Sequence, residues 1–189
     1  MFALAAKRTT VKLVALAGLP GTGKSTLARA LAQELGAPLL DKDRVRAALF
    51  AADEIEYSHA QDDLVMACAH RAVEFHAARG RVPAVVLDGR TYTRRTQVDE
   101  LSALATRLRA PLAWIECRAA PAVVRARLEH DARTGAHPAG NRSFELHERL
   151  RAEAEVLEVP KLVLATDEQP LAALVEAALA FVHSLPDAT

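Results

Sequence analysis

The chain has 189 residues, with 24 Lys and Arg balancing 24 Asp and Glu. That length suits one α/β domain with a sizeable core, and a net charge of zero argues against charge-driven binding to long nucleic acid or to an anionic membrane. Cys68 and Cys117 are isolated, with neither metal-ligand spacing nor a disulfide framework; the opening MFALAAKRTT is too short and wrongly charged for a secretory signal, no apolar stretch approaches a membrane span, and the expected location is cytoplasmic.

The pattern alternates between strand and helix. The apolar run from Val11 to Ala17 reads as a strand and is followed by a glycine-rich loop. From Lys24 to Leu35 the spacing of Leu27, Leu31 and Leu35 predicts a helix that stops at Gly36. Ala37 to Leu40 reads as a short buried strand ending at Asp41. Helices are expected over 43–52 and about 60–79, and a strand over Ala84 to Leu87 ahead of Asp88-Gly89. Then come a helix from Arg94 to Leu108, a strand from Leu112 to Glu116 and a helix from Pro121 to about Arg133, with proline at its first turn. Residues 134–141 form the only loop-like stretch of any length. A helix from Ser143 to Leu157, a strand from Leu162 to Ala165 and a helix from Pro170 to Leu185 complete the chain. Five strands joined by helical crossovers imply a parallel sheet covered on both faces.

Between the first strand and the first helix, residues 18–26 read GLPGTGKST, which matches GxxxxGK[ST]. Glycine is needed because the backbone must curl until successive amides converge on one anion. Gly18, Leu19, Pro20, Gly21, Thr22, Gly23, Lys24, Ser25 and Thr26 are therefore the expected phosphate cradle. Lys24 adds charge toward the outer phosphates, the Ser25 hydroxyl is placed to ligate Mg²⁺, and the helix dipole points at the pyrophosphate.

Carboxylates at strand ends narrow the chemistry, since a doubly wound sheet holds its ligand there. Asp88 has the position of a Walker B carboxylate that holds Mg²⁺ opposite Ser25; a turn aspartate ahead of Gly89 is the other reading. Asp43 and Arg46 in DKDRVR share one side of a helical turn. That pair suits an acceptor site in which Asp43 takes the proton of an attacking hydroxyl and Arg46 grips the acceptor. Alternatively, Asp41 or Asp43 caps the helix and the basic residues are its solvated face. Arg90, just beyond Asp88, is a further candidate for the acceptor wall.

The set GLPGTGKST, DKDRVR and VVLDG, with an arginine-bearing helix before a loop, resembles the small AAA-type P-loop kinases. These include polynucleotide 5′-kinase, gluconate kinase and chloramphenicol phosphotransferase, within the nucleoside monophosphate kinase-like fold. The resemblance implies a three-layer P-loop NTPase fold over 1–189, with an acceptor cap at about 44–80 and a lid at about 134–143. It implies a base role for Asp43, acceptor contact by Arg46, and lid arginines that stabilise the transferred phosphoryl group. Arg127, in VVRARL, is the first choice, then Arg133 and Arg142.

The expected function is ATP- and Mg²⁺-dependent phosphoryl transfer to a hydroxyl of a small metabolite, nucleoside or antibiotic. A guanine-specificity element of the Asn/Thr-Lys-x-Asp type is missing, which disfavours a GTPase switch. Two alternatives remain: a polynucleotide 5′-hydroxyl kinase, favoured by the Asp43/Arg46 match, and a non-catalytic nucleotide-binding regulatory or toxin-like module.

Overall fold

The computed structural model describes residues 10–135 and 142–186. In chain order it contains β1 (Lys12–Ala17), α1 (Lys24–Leu35), β2 (Leu39–Asp41), α2 (Lys42–Leu49), a 3₁₀ turn (Ala52–Glu54), α3 (His59–Arg79), β3 (Ala84–Asp88) and α4 (Arg95–Leu108). Then follow β4 (Leu112–Arg118), α5 (Pro121–Thr134), α6 (Phe144–Glu153), β5 (Leu162–Ala165) and α7 (Leu171–Ser184). The strands form one parallel sheet in the order β2-β3-β1-β4-β5.

β1 is central because both its faces are apolar, and its side chains divide alternately between two cores. Val14 and Leu16 pack with Leu27 and Leu31 of α1 and with Leu174 and Ala178 of α7. Leu13 and Ala15 face the other way, toward Val73 of α3 and Leu101 and Leu104 of α4. Helix, sheet and helix thus make the expected three layers. Each leucine buried here stabilises the fold by about 1.5–3 kcal/mol relative to exposure.

The parallel register aligns the strand ends. Asp41 pairs with Asp88 across β2 and β3, while Ala17 of β1, just before the glycine-rich loop, pairs with Glu116 of β4. Asp41 and Asp88 therefore lie side by side at the C-terminal end of the strands, and Asp43 follows two residues on in α2.

Two expected helices differ in extent. The helix expected over 43–52 is α2, and it stops at Leu49; Phe50 leaves it with an extended backbone, φ −128° and ψ 140°. The helix expected from Ser143 to Leu157 ends at Glu153. Beyond it the Glu155 amide donates to the Thr93 carbonyl at 2.9 Å, the Glu155 carboxylate accepts from the Arg95 amide, and Leu157 turns into the α4 side of the core. Tertiary partners replace the helical bonds that local spacing favours. The expected cap range spans α2, the 3₁₀ turn and α3, whereas residues 136–141 of the expected lid lie outside the described residues. Among the described residues no helix is long and apolar enough to cross a membrane.

Candidate active site

The loop after β1 is held from several sides. The Gly18 amide donates to the Thr91 carbonyl at 3.0 Å, linking the loop to the end of β3. Gly23 is the N-cap residue of α1, with φ 87°, a conformation that side chains other than glycine rarely tolerate. The Leu19 carbonyl is the internal anchor: it accepts from the Thr22 hydroxyl at 2.8 Å and from Lys24 Nζ at 2.7 Å. His147 of α6 supports the loop from outside, its Nδ1 donating to the Pro20 carbonyl at 2.9 Å. That bond requires the proton on Nδ1.

Lys24 is 8 % exposed, and burial lowers its pKa to about 8, against the pull of the Asp88 carboxylate. Asp88 is also buried, and both of its oxygens lack a hydrogen-bond partner of sound geometry among the described residues. Desolvation raises its pKa; the Lys24 charge, and more weakly the nearby Ser25 hydroxyl and Gly89 amide, oppose that shift. A buried carboxylate with no partner is costly. Beside a hydroxyl and an ammonium it has the donor chemistry that a hard divalent cation and its waters satisfy.

The two aspartates of DKDRVR separate by role. Asp41 is the N-cap of α2: its Oδ1 accepts from the Asp43 amide at 2.9 Å and from the Arg44 amide at 3.3 Å. Asp43 is thereby freed from capping, and its carboxylate accepts from Arg46 Nη1 at 2.8 Å. Arg46 is 2 % exposed; its other terminal nitrogen pairs with Asp62 of α3, and Tyr57 lies against the guanidinium at 5.0 Å. Asp62 also accepts Lys42 Nζ, at 3.2 and 3.1 Å. Arg46, expected to contact the acceptor, lines the acceptor-side cavity and also holds Asp43 in place. Gly89, with φ +89°, lets β3 come this close to α2, since an added Cβ would meet Lys42 Cβ at 2.8 Å.

Two cavities meet at the glycine-rich loop. One, of about 460 Å³, runs from Lys24, Ser25 and Thr26 toward Arg127, Thr166 and Gln169. The other, of about 400 Å³, lies between α2, α3, α6 and the loop after β3, and contains Asp43, Arg46 and Arg90. Lys24, Ser25 and Arg142 belong to both walls.

The candidate arginines other than Arg133 divide between the two cavities. Arg127 is fixed on the first cavity: Nη1 donates to the Thr166 hydroxyl and Nη2 to the Thr166 carbonyl, both at 2.9 Å. Arg142, in contrast, stands at the junction. It pairs with Asp131 at 3.3 Å, and burial depresses its pKa against the attraction of Asp131, Asp43, Asp88 and Asp41. Arg133 lies on neither cavity wall. Arg90 lines the second cavity with its guanidinium on Glu100 at 2.9 Å.

Sequence reasoning missed Asp62, His147 and Thr166. Nothing local distinguishes Asp62 in α3 or His147 in α6 from the other polar residues of those helices. Thr166 directly follows the last strand, a position that points to the ligand edge of such a sheet.

Residues 13–160 match the AAA_33 family model, an AAA domain. Among solved structures, a candidate kinase from Chloroflexus aurantiacus is 22% identical, with a TM-score of 0.74 over 91% of this chain and 98% of that one. A gluconokinase from Sinorhizobium meliloti is 24% identical, with a TM-score of 0.65 and 94% of each chain covered. The APS kinase of Mycobacterium tuberculosis, solved with AMPPNP and APS, is 17% identical, with a TM-score of 0.70 over 93% of this chain and 99% of its own. No curated protein matches the sequence. The chain belongs to the AAA_33 family of P-loop domains and has the fold of the small P-loop kinases.

Proposed function

We propose that this protein is an ATP-dependent kinase that transfers the γ-phosphoryl group to a hydroxyl of a small molecule. The observation that carries the reading is the shared wall between the two cavities: Lys24, Ser25 and Arg142 face a triphosphate-sized cavity on one side and the Asp43 carboxylate on the other. A donor site and an acceptor site that meet at a cationic junction are the arrangement phosphoryl transfer needs, because its catalysis is mostly positioning and charge stabilisation.

ATP takes the first cavity, its phosphates on the amides of residues 18–26. The acceptor hydroxyl stands between Asp43 and the γ-phosphorus. As its oxygen bonds to phosphorus, its proton passes to Asp43 and the bond to the β,γ-bridging oxygen breaks, so ADP leaves with that electron pair. Arg46, acting through Asp43, orients the base. Lys24 and Arg142 stabilise the charge that spreads over the transferred group. Ser25 and Asp88 suit Mg²⁺, which when bound neutralises phosphate charge.

Incubation with γ-labelled ATP and a small-molecule extract, followed by mass spectrometry of whatever gains a phosphate, tests the proposal. A labelled metabolite is the expected result; label on an added 5′-hydroxyl oligonucleotide alone assigns the longer acceptor instead. Tight ATP binding without any transfer removes the kinase reading and leaves a binding module.

A further inference from the structure

Seven cationic side chains and three carboxylates line the acceptor cavity, in a chain whose formal net charge is zero; the cationic surplus is therefore local. Most of those cations are already committed. Lys42 and Arg46 are held by Asp62 and Asp43, Arg90 by Glu100 and Arg142 by Asp131, while Lys24 reaches back to the Leu19 carbonyl. Arg94 and Arg149 remain. Both line the cavity and both are exposed, and neither has an ion pair or side-chain hydrogen bond among the described residues.

These two arginines come from separate elements. Arg94 ends the loop between β3 and α4, as the N-cap residue of α4, and Arg149 lies on α6. Asp43 reaches the same space from α2. One small molecule can thus present a hydroxyl to Asp43 and a second group to the arginine pair. Glu153, the wall's remaining carboxylate, offsets one of the two charges, so the free surplus is positive. Guanidinium groups without partners in a cleft whose lining is net positive recognise planar or tetrahedral anions by bidentate hydrogen bonds.

We infer that the acceptor is an anion, a hydroxyl compound bearing a carboxylate or a phosphate ester that Arg94 and Arg149 bind. This rests on the kinase reading and names the substrate class for the same site. Because neither arginine has a partner to lose, alanine there removes acceptor binding without removing support from the fold.

The test separates a small-molecule extract on an anion exchanger before reaction with γ-labelled ATP. Label transferred to a compound of the retained fraction is the expected result, and the Arg94→Ala/Arg149→Ala double variant then raises the KM for that compound by about ten- to a hundredfold. ATP affinity and melting temperature stay at wild-type values, and lysine at both positions recovers part of the loss. Label found only in the flow-through overturns the anionic acceptor, and a double variant with wild-type KM overturns its binding by Arg94 and Arg149; either result leaves the kinase reading intact. Label in neither fraction overturns both.

Discussion

Arg127 and Thr166, from α5 and the end of β5, are joined by two hydrogen bonds of 2.9 Å, and the Thr166 hydroxyl in turn donates to the Thr22 carbonyl at 2.8 Å. The relay ties the last strand to the phosphate loop. Thr166→Ala leaves the Thr22 carbonyl and one arginine nitrogen without that partner. The expected cost is about 1–3 kcal/mol of stability, with ATP affinity weakened by up to about tenfold. Thermal unfolding with and without ATP checks both; unchanged melting and unchanged affinity contradict the relay.

Asp43→Asn keeps the size of the side chain and removes its basicity. Turnover should fall by about 10²–10⁴-fold. Arg46 retains Asp62 as a partner, so the fold and the dissociation constant for ATP should change little. Single-turnover kinetics beside calorimetric ATP titration separate the two effects, and a variant with wild-type turnover takes the base role away from Asp43.

Arg142 and Arg127 make an ordered pair of predictions. Arg142 stands where the cavities meet, so Arg142→Ala should lower kcat by about 10²–10³-fold with a small effect on ATP binding. Arg127→Ala should act mainly on ATP affinity, since its hydrogen bonds tie the nucleotide cavity together. The reverse ranking in kcat would assign the phosphoryl-stabilising arginine to Arg127.

Lys24 gives a pH signature. Its pKa of about 8 in the fold lies below the 10.5 of a free lysine, chiefly through burial. Between those values the unfolded chain binds more protons, so the stability of the nucleotide-free protein rises with pH across that window on account of this residue. Lys24→Met should lose that rise in denaturant titrations. Triphosphate beside the ammonium favours its charged form, so ATP binding near about pH 8.5 should take up protons. Calorimetry in buffers of different ionisation enthalpy reads the uptake directly, and identical heats in all buffers contradict it.

The central architecture is legible in the sequence because its signals are local. The spacing of Leu27, Leu31 and Leu35 predicts α1 with its observed ends, and the run before Asp88 predicts β3. The acidic cluster shows where such reading stops. Asp41 and Asp43 are equally good caps by sequence, and the choice between them depends on where β2 ends relative to α2. The spacing of Asp43 and Arg46 puts them on one side of a helical turn, but that α3 brings Asp62 onto the same guanidinium is a tertiary contact that the spacing does not contain.

By itself, the sequence determined the P-loop, the parallel α/β layering and the edge of the sheet where ligands gather, since each depends on backbone conformation and apolar periodicity over a few neighbouring residues. Only the tertiary structure decided that Asp41 caps while Asp43 is left free, that Asp62 and Thr166 belong to the site, and that Arg142 stands between the two cavities. Those pairings join segments far apart in the chain. They form when packing closes the loops between them, and no pattern of spacing encodes which distant side chain arrives.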